Sequence, residues 1–310
     1  MCGIQDTPPG TAVASVAARL DLDGRPDLSS LLLTWTLRGA PHYVPPGDHA
    51  LFTLGVLPEA ADPAVAEVES IMVDALRKGP RPKGEVSAFV NQRAPELSPY
   101  CRACDAHHPN DNVFRAAALK GRFVLQGTAP VVLARARPAA KGNAETLRTE
   151  LLLRYLHAYA PTTASHFATW AGIDPADAKR RWTAVADAVV KVGKGFVLEE
   201  DLDELERPRP VTGARLVPNK DALLQARDRD LLFLDPAHRK KVFPMLGGPG
   251  VVLLDAEPVA TWRAAAKGKR LEVTVEPFLG LPKRRHAELD AEAQRLAAAR
   301  GQDVASVTIG

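Results

Sequence analysis

Three cysteines, three methionines and four tyrosines are all that a chain of 310 residues contains of these types. So few thiols allow one disulfide at most, which excludes a disulfide-built secreted scaffold and fits a reducing compartment. No apolar run approaches the ~18 residues a membrane span requires, and the longest core-like stretches are short ones such as 251–254. The start, Met1-Cys2-Gly3-Ile4-Gln5-Asp6, lacks a basic segment followed by an apolar stretch, so no secretory signal is expected and the chain is read as soluble and cytoplasmic. A marked excess of either charge is missing too: 40 Lys+Arg against 37 Asp+Glu give +3, which neither demands nor excludes a polyanionic partner. There is no GxGxxG after a strand, no GxxxxGK[ST] loop and no GxSxG elbow, so a nucleotide-binding or small-molecule hydrolytic enzyme finds no support and no cofactor is implied. No repeat of 20–50 residues with recurring signature residues is visible.

What remains is ordinary globular material. At 46% hydrophobic and 25% charged residues, the chain has enough apolar side chains to bury, and disordered, collagenous or coiled-coil classes are excluded. Its length calls for two or three modules of ~100–150 residues.

The clearest module spans 144–206. Leu147, Leu151, Leu152, Tyr155, Leu156 and Tyr159 repeat at three and four residues and predict a helix that stops before Pro161. Thr162 or Thr163 caps a second, short helix carrying Phe167 and Trp170, and Gly172 sits where a left-handed C-terminal residue is needed. Asp174-Pro175 starts a third, with Ala178, Trp182 and Val185 inward and Lys179, Arg180 and Arg181 mostly outward. Two short strands around Gly193-Lys194-Gly195 follow. Three helices and a hairpin predict a winged helix, whose third helix enters a DNA major groove. The cation triplet then contacts phosphate, or else forms a solvated helix face.

Upstream, helical spacing at 62–78, then at 85–93 and 112–119, with strands near 122–125 and 131–135, predicts a second module over 61–143, ending in a Pro/Ala/Gly linker at 138–143. Residues 1–60 are read as a partial first module. Downstream, 207–310 changes texture to short β-type runs, at 214–217, 231–234, 251–254, 259–263 and 270–275, closed by a helix over 283–299. The fold class is α+β: tandem winged-helix modules with a C-terminal β-rich part.

The order of several segments is more specific than any one of them. Gly3-Ile4-Gln5-Asp6, Arg38-Gly39-Ala40-Pro41-His42-Tyr43-Val44-Pro45, residues 217–229, 235–242 and 249–255, Thr261-Trp262-Arg263 and residues 272–278 together resemble the winged-helix DNA-binding family that contains the AlkZ-like and YcaQ-like bacterial DNA glycosylases. The resemblance runs over nearly the whole chain. It implies tandem winged helices curved around double-stranded DNA and excision of N7-alkylated, bulky or crosslinked purines by a monomer. The alternative is a DNA-binding regulator without chemistry. The family's signature is a glutamine, one intervening residue, then a glutamine or aspartate; Gln5, Asp6 and Thr7 stand there, so Thr7 replaces the second polar residue. The resemblance also implies a preceding helix that this sequence does not carry.

Gln5 is expected to hold a water by its carbonyl, Thr7 to make a second hydrogen bond, and Asp6 to supply negative charge or act as base; ordinary capping and turn chemistry before Pro8-Pro9 is the other reading. Arg38 and His42 are candidate phosphate contacts or structural residues. Arg227, Arg229, Arg239 and Lys240, then Lys269 and Arg270, then Arg284, form basic clusters suited to tracking a phosphate backbone, although Arg227 and Asp221 are also expected to pair inside the fold. Cys101, Cys104 and His108 supply at most three zinc ligands with no evident fourth, so free thiols are the expected state.

Overall fold

Helices begin where short polar side chains precede proline or alanine. Asp62 accepts from the Ala64 N–H, Asn143 from Glu145, Asp174 from Ala176 and Asp235 from Ala237, at 2.7–2.9 Å, and in three of the four cases proline holds the first helical position. The architecture comes from a computed structural model that describes residues 2–20, 24–60, 62–103, 105–120, 123–127, 132–135, 142–245 and 247–310. It is mixed α+β and divides into two units, Met1–Gly3 with Ser29–Glu200 and Ile4–Leu28 with Asp201–Gly310.

The first unit holds two hydrophobic cores. One gathers the helices Pro63–Ala75, Lys83–Arg93 and Asp111–Leu119 with the strands Phe123–Gln126 and Val132–Arg135 around Val68, Met72, Phe114, Phe123 and Leu133. The other packs the helices Ala144–Tyr159, Ala164–Ala171 and Pro175–Thr183 around Tyr155, Phe167 and Trp170. All three rings are at most 1% exposed and their centroids lie 4.9–6.1 Å apart; burial of this kind stabilises by roughly 1.5–3 kcal/mol per large side chain. The Tyr155 hydroxyl meets Thr162 Oγ1 at 2.6 Å, so the buried phenol is satisfied. The strands Val189–Val192 and Gly195–Leu198 pair antiparallel through Gly193, which has φ 57°. The helices and strands expected over 62–78, 85–93, 112–119 and 144–198 are therefore present. Of the expected linker and strands, residues 122, 131 and 138–141 lie outside those described.

A hairpin that the sequence pattern does not announce, Leu32–Trp35 with Pro41–Val44, brings Thr34 opposite His42. Between its strands Arg38 adopts φ 55°.

In the second unit the strands Ala214–Val217, Gly250–Leu254, Glu257–Lys267, Arg270–Pro277 and Val304–Ile309 form one sheet in that order, antiparallel except for the last pair. Leu271, Val273 and Val275 alternate inward against Leu289, Ala293 and Leu296 of the helix His286–Arg300. Glu292 on that helix is buried, accepts from the Leu216 N–H at 3.1 Å and is neutralised by Arg295, which satisfies an edge-strand donor. The helix Thr11–Ala17 packs against the same helix, with Val13, Ala17 and Ala299 buried together.

Two expectations need correcting. Residues 231–234 do not form a strand: Arg229–Leu232 is a single helical turn, because a short apolar run carries no period that separates helix from strand, and here Phe233 is buried in a core with Leu232 packed against it. The strand Val304–Ile309 adds to the β-type runs expected; its parallel pairing with Arg270–Pro277 joins segments separated by a helix, and no local pattern specifies it.

Candidate active site

Gln5 closes the two-residue strand Ile4–Gln5 and is 9% exposed, while Asp6 is 4% exposed. Asp6 Oδ1 accepts the Gly10 N–H at 2.8 Å and the Ala12 N–H at 3.0 Å, so the carboxylate holds the start of the helix Thr11–Ala17, whose dipole favours that charge. The Thr11 hydroxyl bonds the Pro8 carbonyl at 2.6 Å and tightens the same turn. Thr7 Oγ1, in contrast, is buried with no hydrogen-bond partner among the described residues. An unsatisfied buried hydroxyl costs roughly 1–3 kcal/mol and points to an occupant such as water or substrate. The segment thus carries a buried Gln5 and a buried Thr7 hydroxyl without a partner among the described residues, with the acid between them anchoring the following turn.

Arg19, four residues beyond Ser15, donates to Asp221 through both terminal nitrogens, at 2.6 and 2.7 Å, and to the Ser15 carbonyl at 2.9 Å. Asp221 is 1% exposed and also receives the Leu223 N–H. The fully buried carboxylate takes a bidentate fork from Arg19, just beyond the amino-terminal helix Thr11–Ala17. Separation by 202 residues made Arg19 invisible to sequence reasoning.

In the first unit, His42 is 3% exposed and its Nδ1 donates to the Ala40 carbonyl at 3.0 Å. Burial drives its pKa from 6.5 down to about 3, so the ring is neutral and does not serve as a phosphate cation. Arg38 is half-buried and donates to the Trp170 carbonyl at the end of the helix Ala164–Ala171. The Gly172 backbone lies so close that a Cβ there would stand 2.9 Å from Arg38 Cα. The arginine thereby supplies one of the donors that a helix C-terminus lacks.

The cation triplet is split. Lys179 is exposed; Arg180 is exposed and paired with Glu59 at 3.0 Å. Arg181 does not face outward: it is 4% exposed, paired with Asp177 at 2.9 Å, and donates to the Gly55 and Leu57 carbonyls at 2.6 and 3.0 Å. With its charge matched and its donors used inside, it ties the third helix to the loop after Thr53.

In the second unit, Arg229 lies 3.8 Å from the Phe243 ring centroid and Arg239 pairs with Asp230, so both are partly spent within the fold. Arg227 is half-buried, whereas Lys240, Arg270 and Arg284 are exposed. Lys269 pairs with Asp303 at 3.1 Å while remaining 86% exposed, a contact that contributes little. Cys101 is half-buried and Cys104 lies outside the described residues. Among the described residues no cluster of three His, Cys, Asp or Glu side chains stands ready to hold a metal ion.

Comparison with known proteins gives these features a family. The fold is that of a solved glycosylase: the DNA glycosylase AlkZ of Streptomyces sahachiroi matches with a TM-score of 0.77 and 21% identity over 100% of this chain and 91% of that one. The model of the AlkZ-like DNA glycosylase family matches residues 1–299, and the chain belongs to that family. The interstrand DNA cross-link repair glycosylase of S. sahachiroi is 31% identical over 156 residues, 47% of this chain. That match spans 41% of the relative's length.

Proposed function

We propose that the protein is a DNA glycosylase that hydrolyses the N-glycosyl bond of N7-alkylated, bulky or crosslinked purines in double-stranded DNA. Family membership over residues 1–299 supports this reading, and the role of the S. sahachiroi relative, interstrand cross-link repair, suggests the lesion class. The observation that carries the chemistry is the buried Gln5, two residues before a Thr7 hydroxyl that is buried without a partner among the described residues, in a segment whose Asp6 carboxylate anchors the turn at Gly10 and Ala12.

An N7-alkylpurine is cationic, so the departing base takes the bonding electrons without needing a strong acid. The sugar becomes oxocarbenium-like and water adds at its anomeric carbon, losing its proton to solvent. Gln5 accepts a hydrogen bond from that water through its carbonyl, and Thr7 orients it from a second side. Asp6 is a positioning residue in this scheme. DNA is held by tandem winged-helix modules over 1–60, 61–143 and 144–206 and a β-rich module over 207–310. Lys179, Lys240, Lys269, Arg270 and Arg284 are exposed cations that can serve its backbone. Arg181 and His42 keep the architectural roles described above.

The test is release of 7-methylguanine from methylated duplex. The purified protein should release it, and Gln5→Ala should slow release by ~100-fold or more while leaving duplex affinity nearly unchanged. No release under conditions where a related glycosylase is active would end the enzyme reading, and equal loss of release and affinity would assign Gln5 to structure.

A further inference from the structure

The strand Gly250–Leu254 is apolar on both faces, and its neighbour Ala214–Val217 departs from that pattern only at Arg215, which is the pattern of strands covered on both sides. Ala214, Leu216, Val252 and Leu254 face the core built with the helix His286–Arg300. On the opposite face Val217 and Val251 join Leu224, Phe233 and Val242 in a small separate cluster. That cluster does not fill the space beside it. A cavity of about 360 Å³ remains, walled by Val217, Leu223, Phe233 and Leu253, rimmed by Val211 and Pro258, and reached by Arg19 and Arg215. Its size falls at the small end of ligand sites, which span ~300–1,000 Å³.

The wall is mostly apolar, and among the described residues the charged side chains in it are all cationic. Acids close to those cations in the chain or fold are already matched: Asp221 by Arg19 and Asp255 by Arg285 at 2.7 Å. Arg215 is half-exposed and spends Nη1 on the Ala214 carbonyl at 2.7 Å; among the described residues no further partner for its guanidinium is present. An apolar chamber with one under-used guanidinium at its rim suits a ligand with an oily body and one acidic head.

We infer that this chamber of the carboxy-terminal sheet binds a small amphipathic acid, a medium-length acyl chain or fused aromatic ring carrying a single carboxylate or sulfonate, with the head on Arg215. The site lies wholly within the second unit and stands independently of base excision.

The full-length protein is titrated with anilinonaphthalene sulfonate, and bound dye is displaced with decanoate or with decanol. Saturable one-site dye binding is expected, with decanoate displacing it at least ~10-fold more effectively than decanol, since a charge-assisted hydrogen bond contributes about that factor. Arg215→Gln should remove the preference for decanoate and leave decanol unchanged. Val211→Trp, at a rim position 55% exposed where a ring blocks entry without disturbing a core, should abolish dye binding while the cooperative thermal transition is retained. Equal displacement by acid and alcohol, or dye binding that survives Val211→Trp, would overturn the assignment.

Discussion

The His42 imidazole is buried, and desolvation dominates its protonation, outweighing the hydrogen bond to the Ala40 carbonyl and acting in the same sense as the Arg38 charge. Folded, it accepts a proton only near pH 3; unfolded, near 6.5. Between these values the unfolded chain binds the additional proton, so stability is complete above about pH 6.5 and declines as the pH falls toward 3, by ~1.4 kcal/mol per pH unit from this ring. Urea midpoints between pH 6.5 and 4.5 should consequently fall more steeply for the native protein than for His42→Gln, and identical slopes would contradict the burial argument. His49 is shifted the same way by the same cause, so some pH dependence should persist in the variant. The identities of Gln5, Asp6 and Thr7 were readable from the chain, but their division of labour was not. Only the distances to Gly10 and Ala12 show that the acid holds the start of a helix, and only the fold shows the Thr7 hydroxyl buried without a partner among the described residues.

Among elements, the helix Ala164–Ala171 shows how a terminus can be specified twice. Gly172 ends it at φ 74°, a conformation that costs an L-residue roughly 1–2 kcal/mol, and Arg38 caps the Trp170 carbonyl from another segment. Gly172→Ala meets both the dihedral penalty and the close approach of Arg38, so it should lower Tm by several degrees, whereas Gly193→Asn, at φ 57° with open space around it, should change Tm by at most about 1 °C. Calorimetry of the two variants checks the contrast. The dihedral half of this was legible in Gly172 itself. The packing half was not, because Arg38 lies 132 residues earlier than its acceptor.

For the molecule as a whole, the net charge of +3 conceals which cations are available. Many are consumed internally: Arg19 by Asp221, Arg181 by Asp177, Arg285 by Asp255. If duplex DNA is the partner, affinity should fall linearly with log salt, and removing a cation that neutralises one phosphate should flatten that slope by ~0.9. Lys179→Ala and Lys240→Ala are each expected to do so without changing Tm, being exposed. Slopes unchanged in both would place the duplex elsewhere.

Local chemistry settled the helices of 62–93 and 144–183, the glycine hairpin and the alternating strands of the carboxy-terminal sheet, since caps, turn residues and hydrophobic period act within a few residues of one another. Tertiary structure decided the rest: the parallel last strand, the pairing of Arg19 with Asp221, the inward turn of Arg181 and the neutrality of His42. Each of these depends on which distant group desolvates or neutralises a side chain. That energy is determined by neighbours in space, and a one-dimensional order of residues does not contain it.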